Sequence, residues 1–355
     1  MFELLVVVGV LGLLVILMLL YKVYTLVSVA RGTDEIRAST SNTVNGILFL
    51  VFFILSVVAI AWYSFSEYDR YTPPQAAEHA ADYDSLFWTT MWVAMAAFLI
   101  TNLLLFYFAF RYKFSESRRA HFYPDNTKLE IAWTILPAVV LVLLIFNGFK
   151  VWNTMTDAAP DDAVVLEVMG YQFAWEARYP GKDGELGSFD FRNVEATNAM
   201  GLALDDEKSY DDFMPLEIYL PKGRPVEMKI RARDVLHSVH LPHFRQKMDA
   251  MPGLPTRLWF IPNKTTEEMR KETGNPKFNY ELACTEVCGR GHFSMKKIVV
   301  VVEPEEYDKW YAEQESWLTN NPDLLKKIPE AKRPAAAKAA GVEYNAQEQL
   351  QAQVN

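Results

Sequence analysis

The first 150 residues hold four long apolar runs, roughly Leu4–Tyr21, Gly46–Tyr63, Leu86–Phe110 and Ile131–Phe149, with no charged residue inside any of them. A helix crossing a hydrocarbon core ~30 Å thick needs about 20 residues, and each run is about that long. Four buried helices of a soluble core are the alternative. Such length without charge, repeated four times, argues for membrane spans. The rest, residues 151–355, reads as a separate polar domain with 33 acidic and 25 basic residues, a net of −8 within a whole-chain charge of −9.

Loop charge sets the orientation. Lys22, Arg31 and Arg37 follow the first run, and Arg111, Lys113, Arg118, Arg119 and Lys128 follow the third. After the second run Arg70 stands among Glu67, Asp69, Glu78, Asp82 and Asp84. Basic loops stay cytoplasmic, so the N-terminus, the second loop and everything after Phe149 are expected outside. A signal peptide would carry a basic start and a small-residue cleavage site. Here Glu3 is acidic, and the expectation is a retained first helix. The fourth run opens with Thr127-Lys-Leu-Glu130, a capping-box spacing in which Glu130 caps the helix start. Pro137 lies inside it, where a local kink is expected.

From Ala163 the pattern changes to short β-prone segments, Val164–Val168, Phe173–Arg178, Phe189–Arg192, Leu216–Leu220, Val226–Ala232, Arg257–Ile261, Phe278–Ala283 and Lys297–Val302. Such spacing predicts an all-β sandwich or barrel. An acidic insertion, Asp205-Asp-Glu-Lys-Ser-Tyr-Asp-Asp212, reads as a solvated loop or as a docking patch for a basic partner. Pro304–Leu318 reads as helical. Pro329–Asn355, rich in Ala, Lys and Gln, reads as a mobile tail or a tether onto another subunit. Neither an internal repeat nor a nucleotide-binding glycine loop is evident.

The chemistry concentrates in Cys284-Thr-Glu-Val-Cys288-Gly-Arg-Gly-His292-Phe-Ser-Met295, which contains both cysteines of the chain. Thiolate, imidazole and thioether form a soft ligand set suited to copper. A single-copper electron-transfer site needs one cysteine, so this loop has a thiolate to spare. A fourth strong ligand is sought among His237, His240 and His243, and spacing alone does not decide among them. Strand alternation puts His237 and His240 on opposite faces. In an oxidising compartment two cysteines ordinarily pair as a disulfide, which leaves His292 and Met295 without a role. Structural zinc on two cysteines and two histidines is also chemically sound, and on spacing it ranks level with copper. Export past four membrane spans favours copper.

Cys-x-Glu-x-Cys-Gly-x-x-His-x-x-Met, preceded by Asp-Val-Leu-His, resembles the binuclear copper centre, CuA, of the cytochrome c oxidase subunit 2 family. Leu129-Glu-Ile-Ala-Trp-Thr-Ile-Leu-Pro137 is similar to the start of that family's second helix, and Asp249-Ala-Met-Pro-Gly253 to one of its turns. The likeness covers about residues 80–320. It implies a two-helix transmembrane hairpin followed by an exported all-β cupredoxin-like barrel, so that with the two leading runs about four membrane α-helices are expected in all. The implied division is two additional N-terminal helices in 1–66, the hairpin in 80–152, the CuA domain in 160–303, and a C-terminal helix and extended tail in 304–355.

By the same resemblance the copper ligands are His237, Cys284, the backbone carbonyl of Glu286, Cys288, His292 and Met295, with both thiolates bridging two coppers. The Glu286 side chain would face a magnesium shared with subunit 1. Glu130 would stand at the cytoplasmic mouth of a proton pathway. Implied partners are subunit 1 and other oxidase subunits, cytochrome c or a membrane-tethered cytochrome, and the lipid bilayer of a bacterial respiratory membrane. Nucleic acid is not among them. Electrons would enter the copper pair and pass to haem in subunit 1, where oxygen is reduced and protons are pumped. The sequence departs from the family at Gln172-Phe-Ala-Trp175, where Phe173 replaces the tryptophan expected at electron entry and Trp175 is the neighbouring candidate. The two leading helices, the acidic insertion and the aromatic tail are additions. A quinol oxidase subunit would lack Cys284 and Cys288, and nitrous oxide reductase would lack the hairpin. The rival of another class is a membrane-anchored β domain held by a disulfide or zinc and serving assembly.

Overall fold

The computed structural model describes residues 2–31, 40–115 and 117–342. Arg37 and the last part of the expected tail, 343–355, lie outside the described residues. The chain divides into two compact units, Met1–Tyr68 with Val93–Thr134, and Asp69–Trp92 with Ile135–Asn355.

Each apolar run forms a helix: α1 (Phe2–Ala30), α2 (Thr40–Ser66), then after a short α3 (Tyr68–Tyr71), α4 (Ala80–Arg111) and α5 (Thr127–Thr156). By length and composition four of them, Leu11–Ala30 of α1 and the whole of α2, α4 and α5, can cross a membrane. Most of their apolar side chains stand exposed, as expected of surfaces that lipid covers. In the first unit α2 meets α4 through Phe106, whose ring lies 4.3 Å from Phe49 and 4.8 Å from Phe53. α5 runs on through Pro137. Its cap differs from the expected one. Asn126 Oδ1 accepts from Leu129 N at 3.1 Å, so Asn126 is the cap and Glu130 lies a residue too far along for a capping box with it. Glu130 remains in the first turn, where a carboxylate opposes the helix dipole.

Among the described residues the second unit carries nine strands, β1 (Val164–Tyr171), β2 (Ala174–Arg178), β3 (Ile218–Pro221), β4 (Val226–Ala232), β5 (His237–Leu241), β6 (Gln246–Ala250), β7 (Thr256–Phe260), β8 (Tyr280–Cys284) and β9 (Lys296–Val302). Helix α6 (Thr266–Thr273) precedes β8 and α7 (Pro304–Ala312) follows β9. One sheet has the order β2-β1-β4-β7 and the other β3-β9-β8-β5-β6, with β1–β4 and β3–β9 parallel. Leu166, Val168, Met228, Ile230, Val239, Leu282, Val299 and Val301 fill the space between them. Burying each such side chain is worth roughly 1.5–3 kcal/mol.

Two expectations need correction. Phe189–Arg192 is not a strand: residues 191–193 form a 3₁₀ turn, capped by the Asp190 carboxylate accepting from Arg192 N. Nor do residues 329–342 form a mobile tail. Arg333–Ala339 is a helix, α8, whose Ala336 and Ala337 are buried with Trp317, Leu318, Leu324, Leu325 and Ile328 against Met169, Met200, Leu202 and Tyr210. Alternation along β1 explains this second core. Leu166 and Val168 face the barrel interior, so Glu167 and Met169 face outward and are covered by the insertion and the C-terminal segment together.

Candidate metal centre

Sheet register assembles the cluster. β5 and β8 are antiparallel neighbours with Val239 opposite Cys284, so the start of one strand lies beside the end of the other. His237 opens β5 and Cys284 closes β8. The loop from 285 to 295 then leaves and returns, with Cys284 N donating to Met295 O at 3.0 Å. Residues 47 positions apart are thereby brought together, Cys284 Sγ lying 3.9 Å from His237 Nδ1.

The donors fall into two similar halves. Cys284 Sγ has His237 Nδ1 at 3.9 Å and the Glu286 carbonyl at 3.2 Å. Cys288 Sγ has His292 Nδ1 at 3.6 Å and Met295 Sδ at 3.7 Å. Each half thus offers a thiol, an imidazole and one weak donor. The two sulfurs lie 3.9 Å apart and both cysteines are free, so the disulfide reading does not describe this chain. His237, Cys284, Cys288 and Met295 are buried, His292 partly so. Burial, followed by the adjacent Cys284, pushes the Cys288 thiol up to about 11. A metal that binds here must therefore displace protons. Thiol, imidazole and thioether donors of this kind suit a soft metal such as copper.

Asp234 organises the approach. Its Oδ1 faces His237 Nε2 at 2.9 Å and accepts from Val235 N at 2.7 Å, while Oδ2 accepts from Gln172 N at 2.8 Å. Burial alone would raise this carboxyl, but the bonds from Gln172, His237 and Val235 outweigh it and hold it below the ordinary range. Donation from Nε2 leaves Nδ1 free toward the cluster. Gln172 Nε2 also donates to Cys288 O at 2.5 Å. The Phe173 ring lies against Gly289 and Gly291. A Cβ on Gly291 would meet the ring at 2.5 Å, and Gly289 has φ +133°.

The two electron-entry candidates differ. Phe173 is 38% exposed, whereas Trp175 is 3% exposed and packs edge-on to His237 with centroids 5.9 Å apart. The other histidines have separate roles. His240 is partly buried with Nδ1 3.3 Å from Gln246 O. His243 Nδ1 donates to Pro74 O at 2.8 Å. Burial lowers both. The acidic insertion is neither a free loop nor a bare patch. Asp212 is fully buried against Arg178 at 2.9 Å, and Lys332 binds Asp205 O and Glu207. Asp234 and Gln172 were visible only as letters of motifs, because neither is itself a plausible ligand.

The fold and cluster define a membrane-anchored cupredoxin-like domain with a soft-metal site. Residues 66–151 match the sequence family described as cytochrome C oxidase subunit II, transmembrane domain, and residues 164–302 match cytochrome C oxidase subunit II, periplasmic domain. The alternative cytochrome c oxidase subunit 2 of Bradyrhizobium diazoefficiens is 32% identical over 270 residues, 76% of this chain and 92% of that protein. The cytochrome c oxidase subunit 2 of Synechocystis is 27% identical over 75% of this chain and 81% of that protein. The solved periplasmic domain of subunit II of cytochrome oxidase from Bradyrhizobium japonicum is 22% identical, covering 44% of this chain and 95% of its own, with a TM-score of 0.30.

The chain belongs to the cytochrome c oxidase subunit 2 family. It is a multi-pass membrane protein with its β domain on the periplasmic side, and a subunit of an oxidoreductase complex, the respiratory haem-copper oxidase. Helices α1 and α2 lie almost wholly outside both matched regions, as two N-terminal additions.

Proposed function

We propose that this subunit is the electron entry of its oxidase, taking single electrons from cytochrome c, or from a membrane-tethered cytochrome, and passing them to haem in subunit 1. The observation that carries the reading is the doubled donor set, in which each of two thiols has its own imidazole and its own weak donor. When bound, a copper pair supplies a one-electron couple. His237, Cys284, Cys288, His292, Met295 and the Glu286 carbonyl hold it. The rigid strands β5 and β8 keep these donors fixed as the charge changes. Zinc would leave the second thiol's thioether neighbour without use.

The Gln172–Phe173 segment contacts the Cys288 loop directly, and Phe173 is the partly exposed ring beside it. Electrons enter on this side, with Trp175 buried behind it against His237. The Glu286 carboxylate would face a magnesium shared with subunit 1, and Glu130 would stand at the mouth of a proton-input pathway.

The test is the optical and paramagnetic-resonance spectrum of the copper-loaded oxidase. A two-copper signal is expected, and Cys288→Ser is expected to abolish it. Survival of that signal in Cys288→Ser contradicts two shared thiolates. A colourless, silent, zinc-loaded protein contradicts copper altogether.

A further inference from the structure

Arg245 has φ 54°, the one non-glycine residue with positive φ among the described residues. An L side chain is disfavoured there and persists only where its surroundings hold it. The surroundings are specific. Arg245 Nε and Nη2 donate to the two Asp84 oxygens at 2.7 and 3.1 Å, Nη2 also donates to Pro73 O at 2.7 Å, and Nη1 donates to Pro242 O at 2.8 Å. The side chain is 12% exposed. A paired fork of this kind has geometric as well as charge selectivity.

Asp84 belongs to α4, and Pro73 to the strap that leads into it. That strap is tied down at further points. His243 Nδ1 donates to Pro74 O, Ala76 N donates to His243 O at 2.8 Å, Asn263 N to Ala76 O at 3.0 Å, and Glu78 N to Ile261 O at 3.1 Å. Ala76, Ala77 and Ala80 are buried in the barrel core. The barrel is thus joined to the start of α4 through side chains as well as through the covalent chain.

The joint stands at one end of β5 and His237 at the other. A five-residue strand spans roughly 16 Å, so a tilt of about 4° at the joint displaces the far end by roughly 1 Å. We propose that Arg245 is a positioning residue: it clamps the barrel to α4 and its strap, and so fixes where the metal cluster stands for onward electron transfer. This rests on the copper reading above. In the step concerned, one electron leaves the reduced copper pair and is taken up by an oxidised haem, with no bond made or broken.

The experiment compares wild type, Arg245→Gly and Asp84→Asn in the assembled oxidase. Glycine accepts the left-handed backbone, so the first variant removes the guanidinium without adding strain. The two-copper spectrum and its reduction by a small soluble reductant are expected to be unchanged. The copper-to-haem transfer rate after photoreduction is expected to fall several-fold in both variants. An unchanged rate overturns the proposal. So does a spectrum lost along with the rate, because Arg245 would then hold the site together rather than place it. A wild-type oxidase without the two-copper spectrum overturns the copper reading instead. Hydrogen exchange at the Ala76 and Asn263 amides still tests the clamp in that case, faster exchange in Arg245→Gly supporting it and unchanged exchange refuting it.

Discussion

At the scale of single residues, Asp234 holds the most connected position beside the metal cluster. Its two oxygens join the histidine of one strand to the backbone of Gln172, whose side chain in turn reaches Cys288 O. Removing the carboxylate frees the His237 ring to turn and leaves the Gln172 amide unbonded. Asp234→Ala is expected to weaken copper binding by about 10–100-fold, measured by competition with a copper chelator. An affinity equal to that of wild type would show that packing against Trp175 and Gly170 suffices to orient the ring.

At the scale of elements, the insertion and the C-terminal segment form one layer over the outer face of the first sheet. Trp317 N donates to Asp212 O at 2.8 Å, and its Nε1 donates to Ser209 O at 2.8 Å. Beneath them runs a buried chain of charges, Asp212–Arg178–Glu167–Arg231, with contacts of 2.9, 2.8 and 2.8 Å. Removing one member of such a set leaves its neighbour charged in the core and costs about 3–5 kcal/mol. Truncation before Ser316 strips the apolar cover from Met200, Leu202 and Tyr210. It is expected to make residues 187–214 sensitive to limited proteolysis while the metal cluster, built on the other sheet, keeps its spectrum. Unchanged protease resistance would mean that the insertion folds without the tail.

At the scale of the whole molecule, Asp212 links this layer to pH. Burial pushes its carboxyl up to about 7, against the opposing pull of Arg178, from an ordinary 3.8. Between those values the folded chain binds a proton that the unfolded chain releases, so this group's effect on stability worsens as pH rises. Its penalty is absent below 3.8 and complete above about 7. Asp212→Asn is expected to flatten the corresponding slope in urea unfolding between pH 5 and 8, followed by tryptophan fluorescence. A slope identical to wild type would assign the pH dependence to other groups.

The membrane spans and the loop from Cys284 to Met295 were legible in the sequence because both are local. A run of about 20 apolar residues is a property of consecutive positions, and five of the donors lie within twelve residues of one another. Spacing could not choose among His237, His240 and His243. Resemblance through Asp-Val-Leu-His singled out His237, and what brings it to Cys284 is the register that sets Val239 opposite Cys284, a pairing between segments far apart in the chain. The same holds for Trp175, whose burial beside His237 follows from how two sheets meet. It holds also for residues 333–340, whose alanines look idle until Met169 and Leu202 present an uncovered face. Arg245 likewise finds its partners Asp84 and Pro73 only through the folded strap. The sequence alone therefore determined where the chain crosses the bilayer and which loop can bind a soft metal. Tertiary structure decided which distant side chains complete, orient and anchor that loop, because those contacts come from strand register and layer packing rather than from neighbours along the chain.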